Sequence, residues 1–84
     1  MKRYMFRFFQ TLARFLKKEP RPILIMFYAP WCGYCKTLKP EFSQAASDLK
    51  DHSVLIAVDV NRPENAVLRT QYNISGFPTL LYFV

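Results

Sequence analysis

With only two cysteines and one histidine among 84 residues, a single chain cannot supply the four nitrogen and sulfur ligands of a structural zinc site. His52 stands alone in "KDHSV" and reads as a solvated loop residue. Long apolar runs are missing too. No stretch approaches about 18 consecutive apolar residues, so neither a membrane-spanning helix nor stable membrane insertion is expected. Low-complexity tracts and repeats are absent, and disorder is not expected beyond the N-terminus. Acidic residues are scarce in one place. Residues 1–22 carry Lys2, Arg3, Arg7, Arg14, Lys17, Lys18 and Arg21 against Glu19 alone. From Ile23 onward five basic residues balance five acidic ones, so the net charge of +6 belongs to the leader. A neutral body argues against nucleic-acid binding.

The leader is a poor secretory signal. Arg7 and Arg14 interrupt its apolar runs before they reach the roughly 7 to 15 residues of an h-region, and no small-residue cleavage site follows. It reads instead as an amphipathic helix, with Met5, Phe8, Leu12, Phe15 and Leu16 at helical spacing and Lys17 and Lys18 at its C-terminal end. A mitochondrial-type targeting segment is the alternative, although serine is absent from it. Pro20 and Pro22 end the helix. Beyond them, 51% hydrophobic and 17% aromatic residues over the whole chain suit a small packed body. "ILIMFYA" and "VLIAVDV" read as strands buried on both faces, and "TLLYFV" as a third strand. Helices are expected from Cys32 to about Leu49, with Pro40 inside and expected to kink it, and over "PENAVLRTQY", where Pro63 is placed to start it. Alternating helices and strands imply an α/β layer structure, α-β-α-β-α-β, with parallel crossovers.

Both cysteines fall in "FYAPWCGYCKTLKPEF". As a staple, a Cys32–Cys35 bridge would close too small a loop to remove much entropy from the unfolded chain. As a redox pair the spacing is well suited. A helix N-terminus offers unpaired N–H groups and a positive dipole end, which favours a thiolate at Cys32. Cys35, one turn in, can attack a mixed disulfide formed at Cys32. Gly33 leaves room for a substrate chain, and Lys36 adds positive charge nearby. Dithiol exchange is the chemistry this spacing serves.

With "YNISGFPTLLYF" about forty residues later, the motif resembles the thioredoxin fold, and in particular the catalytic domains of protein disulfide isomerases, over about Leu12 to Val84. The resemblance implies a thioredoxin-like three-layer α/β sandwich, with Cys32 as nucleophile, Cys35 as resolving thiol and Pro78 as a cis-proline beside them. Phe77 would offer backbone groups to an extended substrate, with Trp31, Gly33, Tyr34, Phe77 and Pro78 forming the substrate-binding rim. It further implies a thiol-disulfide oxidoreductase or isomerase acting on protein cysteines, with no cofactor beyond its own dithiol and no metal. Its partners would be polypeptides with thiols or disulfides, and its compartment the endoplasmic reticulum lumen. The alternatives are a non-catalytic client-binding fragment and a small thioredoxin-type reductase in mitochondria.

Three departures from the family pattern stand out. Met26 occupies the place of a buried acid, and Ala57 that of the lysine that often pairs with it; the methionine, with the phrasing around it, resembles the disulfide-isomerase-related subgroup. The dipeptide between the cysteines is Gly-Tyr, where isomerases usually have Gly-His and thioredoxins Gly-Pro. Lastly, the resemblance predicts an incomplete fold, with residues 1–22 as a basic leader helix and residues 23–84 as a partial thioredoxin domain. No first strand is evident before the leader helix, and the C-terminal strand and helix are lacking. One sheet face is then expected to be partly uncovered.

Overall fold

The computed structural model describes Lys2, Arg3 and residues 9–84, with side-chain environments from Leu12 onward. Met5 and Phe8, two of the apolar positions assigned to the leader helix, lie outside the described residues.

In chain order the elements are β1 (Lys2–Arg3), α1 (Phe9–Lys18), β2 (Ile23–Tyr28), α2 (Gly33–Asp48), β3 (Val54–Asp59), a 3₁₀ turn (Pro63–Asn65), α3 (Ala66–Gln71) and β4 (Thr79–Phe83). Pro40 lies inside α2. Among the described residues the sheet has four strands in the order β1-β3-β2-β4. Two features correct the sequence reading. A first strand does exist: Lys2 and Arg3 pair in parallel with Ile56 and Ala57 of β3. Two basic residues carry no apolar alternation, so nothing in the local pattern marks them as a strand. The crossover from β3 to β4 is not parallel either. β4 runs antiparallel to β2 and starts where β2 ends, with Thr79 opposite Phe27 and Phe83 opposite Ile23. The six residues of α3 span only about 9 Å, against roughly 20 Å for a six-residue strand, so the helix by itself does not cross the length of the sheet.

β2 and β3 are the parallel centre, paired from Ile23 with Val54 to Tyr28 with Asp59. Because strand side chains alternate, this register sorts the apolar residues into two cores. Ile23, Ile25, Phe27, Ile56 and Val58 face Leu12 of α1 and Leu68 of α3. Met26, Tyr28, Leu55 and Ala57 face the opposite side, with Cys35 and Phe42 of α2. The result is three layers, and α1 packs into the same core as the sheet, since Leu12 is fully buried there. Burying a leucine of this kind stabilises the fold by about 2 kcal/mol. Leu80 and Tyr82 are exposed on β4. The link into β2 is held by Arg21, which donates to Glu19 through Nε and Nη2 and to the Lys50 carbonyl through Nη1 at 2.8 Å.

A dithiol at the start of the central helix

The apolar run of β2 ends at Ala29, and a turn closed by the Cys32 N–H donating to the Ala29 carbonyl aims the chain into α2. Cys32 is the N-cap of that helix. Its backbone is extended, its carbonyl accepts the first helical bond from Lys36 N–H, and its Sγ accepts from Cys35 N–H at 3.1 Å. Sulfur thus fills the role that serine or aspartate oxygen usually takes at this position. Both thiols are free, and the two are buried to similar extents, 6% exposed at Cys32 and 1% at Cys35.

The surroundings of the inner thiol bear on its proton. Burial pushes the Cys35 thiol above its ordinary value. Hydrogen bonding to the Cys32 side chain and the negative charge available there act in the same direction, and a backbone hydrogen bond from Ala29 offsets them in part. A stability effect follows. Below about pH 8.5 this thiol is protonated in both folded and unfolded chains. Above it the unfolded chain loses the proton while the folded one keeps it, so folding stability falls as pH rises, by at most about 1.4 kcal/mol per unit from this group. Denaturant unfolding of the reduced protein between pH 7.5 and 9.5 is expected to show this decline, and Cys35→Ala is expected to flatten it. Identical slopes for parent and variant would mean that the thiol is not held protonated by the fold.

Met26 and Ala57 face each other across β2 and β3, both fully buried, in the apolar cluster that holds Cys35. Among the described residues Asn65 is the one buried polar side chain, so no carboxylate is buried beside Cys35.

Around Cys32 the fold brings together some of the rim residues expected from sequence. Trp31 is 65% exposed and meets Phe77 edge to face, with ring centroids 5.5 Å apart. Phe77 is half-buried, packs against both apolar cores, and precedes Pro78 through a cis peptide bond. Gly33 is exposed, and a Cβ there would meet open space. Tyr34 is exposed and makes no ring contact among the described residues. Other residues beside the site went unseen in the sequence. Asn61 accepts from Trp31 Nε1 at 3.4 Å, and its own N–H donates to Asp59 Oδ1. Lys39 places its ammonium 4.6 Å from the Tyr28 ring centre, and Arg69 its guanidinium 5.9 Å from that of Phe77. The buried Asn65 donates to the Asp59 carbonyl and ties the start of α3 to the end of β3. None of these carries a local signal, because each depends on a partner brought near by the β3-α3 connection, the β2-α2 packing or the segment from α3 to β4.

Among the described residues no group of three His, Cys, Asp or Glu side chains stands close enough to hold a metal ion, and no helix is long and apolar enough to cross a membrane.

A parallel β2-β3 centre with helices on both faces, a CxxC pair at the head of α2 and a cis-proline in the loop before β4 together define a thioredoxin-type domain. The chain belongs to the thioredoxin family, whose sequence model matches residues 8–84. It is 44% identical over 74 residues to protein disulfide-isomerase A5 of Mus musculus, a match covering 88% of this chain and 14% of the mouse protein. It is 57% identical over 61 residues to a protein disulfide-isomerase of Ricinus communis, covering 69% of this chain and 12% of that one. A mitochondrial thioredoxin domain-containing protein of Schizosaccharomyces pombe is 44% identical over 71 residues, covering 84% of this chain and 19% of the relative. The chain thus spans only a small part of the curated relatives it matches. Among solved structures, chloroplastic thioredoxin z superposes with a TM-score of 0.83 at 24% identity, covering 98% of this chain and 68% of that one. Fasciola hepatica thioredoxin gives 0.81 at 23%, covering 93% and 73%. At these identities the structural likeness speaks to the fold alone.

Proposed function

We propose that this chain is a thiol-disulfide oxidoreductase or isomerase that exchanges electrons with cysteines of polypeptides through Cys32 and Cys35. The observation that carries the reading is Cys32 Sγ capping α2, with Cys35 buried and harder to ionise one turn behind it. Cys32 thiolate attacks one sulfur of a client disulfide, forming a mixed disulfide and releasing one client thiolate. Cys35 then gives up its proton and attacks Cys32 Sγ. The mixed disulfide breaks, the Cys32–Cys35 disulfide forms, and the second client thiolate leaves. Two electrons have moved from the dithiol to the client, and the reverse sequence oxidises one. N–H groups at the head of α2 stabilise negative charge on Cys32 whenever it attacks or departs.

Trp31, Gly33, Tyr34, Phe77 and Pro78 form the surface against which the client lies. The exposure of Trp31 and Tyr34, the open space over Gly33 and the ring contact between Trp31 and Phe77 support this. The endoplasmic reticulum lumen is the compartment proposed from resemblance to disulfide isomerases. The mitochondrial relative supports the second compartment.

Reduction of insulin by dithiothreitol, followed by turbidity, tests the activity. The full chain is expected to accelerate precipitation, and Cys32→Ser is expected to remove the acceleration. A parent chain without effect that still binds unfolded polypeptide would favour the non-catalytic client-binding reading.

A further inference from the structure

We propose that the client-binding face selects segments with an acidic side chain a few residues from the client cysteine, and that Arg69 is the residue that reads it. The proposal rests on the thiol-exchange reading above.

Arg69 is exposed in the last turn of α3, and its backbone is fixed there. Ile74 N–H donates to the Arg69 carbonyl at 2.9 Å and Asn73 N–H to that of Thr70, while Asn73 takes the left-handed conformation at φ 55°. This is the hydrogen-bonded stop that pins a helix end. From it the guanidinium reaches over the Phe77 ring, which also meets Trp31, next in sequence to Cys32. A cation over an aromatic face is held in place without using its N–H donors, which stay available for a planar two-point contact with a carboxylate. An extended client advances about 3.3 Å per residue, so a side chain three positions from its cysteine lies about 10 Å away, and that spacing is the one tested.

The charges around the site favour such a client. At the end of β3, Asp59 and Glu64 both lie against Arg62, at 3.8 and 3.7 Å, and are occupied by it. Arg69 and Lys36 have no carboxylate within ion-pair distance among the described residues. Lys36 stands in the first turn of α2, one helical bond from Cys32. Two cations without a carboxylate partner, Arg69 and Lys36, thus stand near the apolar rim, although residues 23–84 as a whole are neutral.

The test uses synthetic nonapeptides with a central cysteine joined to thiopyridine, bearing glutamate, glutamine or lysine three positions from it on either side. Attack by Cys32 on the peptide sulfur releases thiopyridone, and its rate is read at low salt and near 1 M salt. The glutamate peptide is expected to react about 3-fold faster than the glutamine peptide, and the lysine peptide slower. In Arg69→Gln and at high salt the glutamate-to-glutamine ratio is expected to fall toward one, and Arg69→Lys to restore part of it. Equal rates for glutamate and glutamine peptides, or a ratio unchanged in Arg69→Gln, would overturn the assignment. Failure to react with any peptide would instead overturn the exchange reading on which it rests.

Discussion

Cys35→Ser is expected to accumulate clients as stable mixed disulfides on Cys32, whereas Cys32→Ser is expected to trap none. Exposure alone would not predict this, since both thiols are nearly buried. The difference lies in what surrounds each sulfur. Cys32 Sγ caps the N-terminus of α2, where Cys35 N–H already donates to it. Cys35 lies inside an apolar cluster, where burial and its neighbour's charge keep its proton on. The outer sulfur therefore attacks first and the inner one resolves. Intramolecular attack draws on a large effective concentration, so losing Cys35 is expected to lengthen the life of the adduct on the order of 100-fold or more. Non-reducing electrophoresis and intact mass of chains incubated with a reduced, unfolded client under mild oxidation would show the adducts. Alkylation of the parent with iodoacetamide at neutral pH offers an independent measure, with Cys32 expected to react much the faster. Equal alkylation of both thiols would remove the basis for the assignment.

Met26→Glu is expected to weaken the fold while speeding release of the reduced client. Cys35 must lose its proton before it attacks, and among the described residues no carboxylate is buried beside it to take that proton. A carboxylate at position 26, fully buried and opposite Ala57, would be such an acceptor once ionised. The same burial raises its own titration toward neutrality. For a carboxyl titrating near 7 in the fold and about 4.3 in the unfolded chain, stability falls as pH rises through that window, and the loss at pH 7 is about 3–4 kcal/mol. Release is expected to quicken between about pH 6 and 8 as the buried acid ionises. Stopped-flow measurement of client release from the Cys32 adduct reads this directly, and Met26→Gln, polar but not titratable, separates proton transfer from simple loosening of the core. A glutamate variant no faster than the parent across that range would mean that another acceptor, such as water, already reaches Cys35.

The parts legible in the sequence share a local cause. "ILIMFYA" is a continuous apolar run and "VLIAVDV" an apolar run broken by Asp59 alone, and both became the buried central strands. Pro63 opens the turn that leads into α3, as its fixed φ and missing N–H suit it to do. Met26 and Ala57, singled out from motif alignment alone, prove to be paired neighbours in the sheet. Where contacts join distant segments, the sequence was silent or misleading. Lys2 and Arg3 form a strand because the edge of β3 is there to receive them, not because of their own pattern. β4 runs antiparallel to β2, a direction that its own apolar pattern does not encode.

The same division runs through the site. Sequence by itself determined that two thiols one helical turn apart would stand at the head of a helix following a buried strand, because covalent spacing and the 3.6-residue period fix both. Tertiary structure alone decided how the two sulfurs differ and what a client would meet. The raised Cys35 thiol depends on which side chains exclude water from it. The row from Trp31 through Phe77 to Arg69 joins three segments far apart in the chain. Desolvation, ring contact and the local field depend on distances through space, and those exist only once the sheet register and the helix packing are in place.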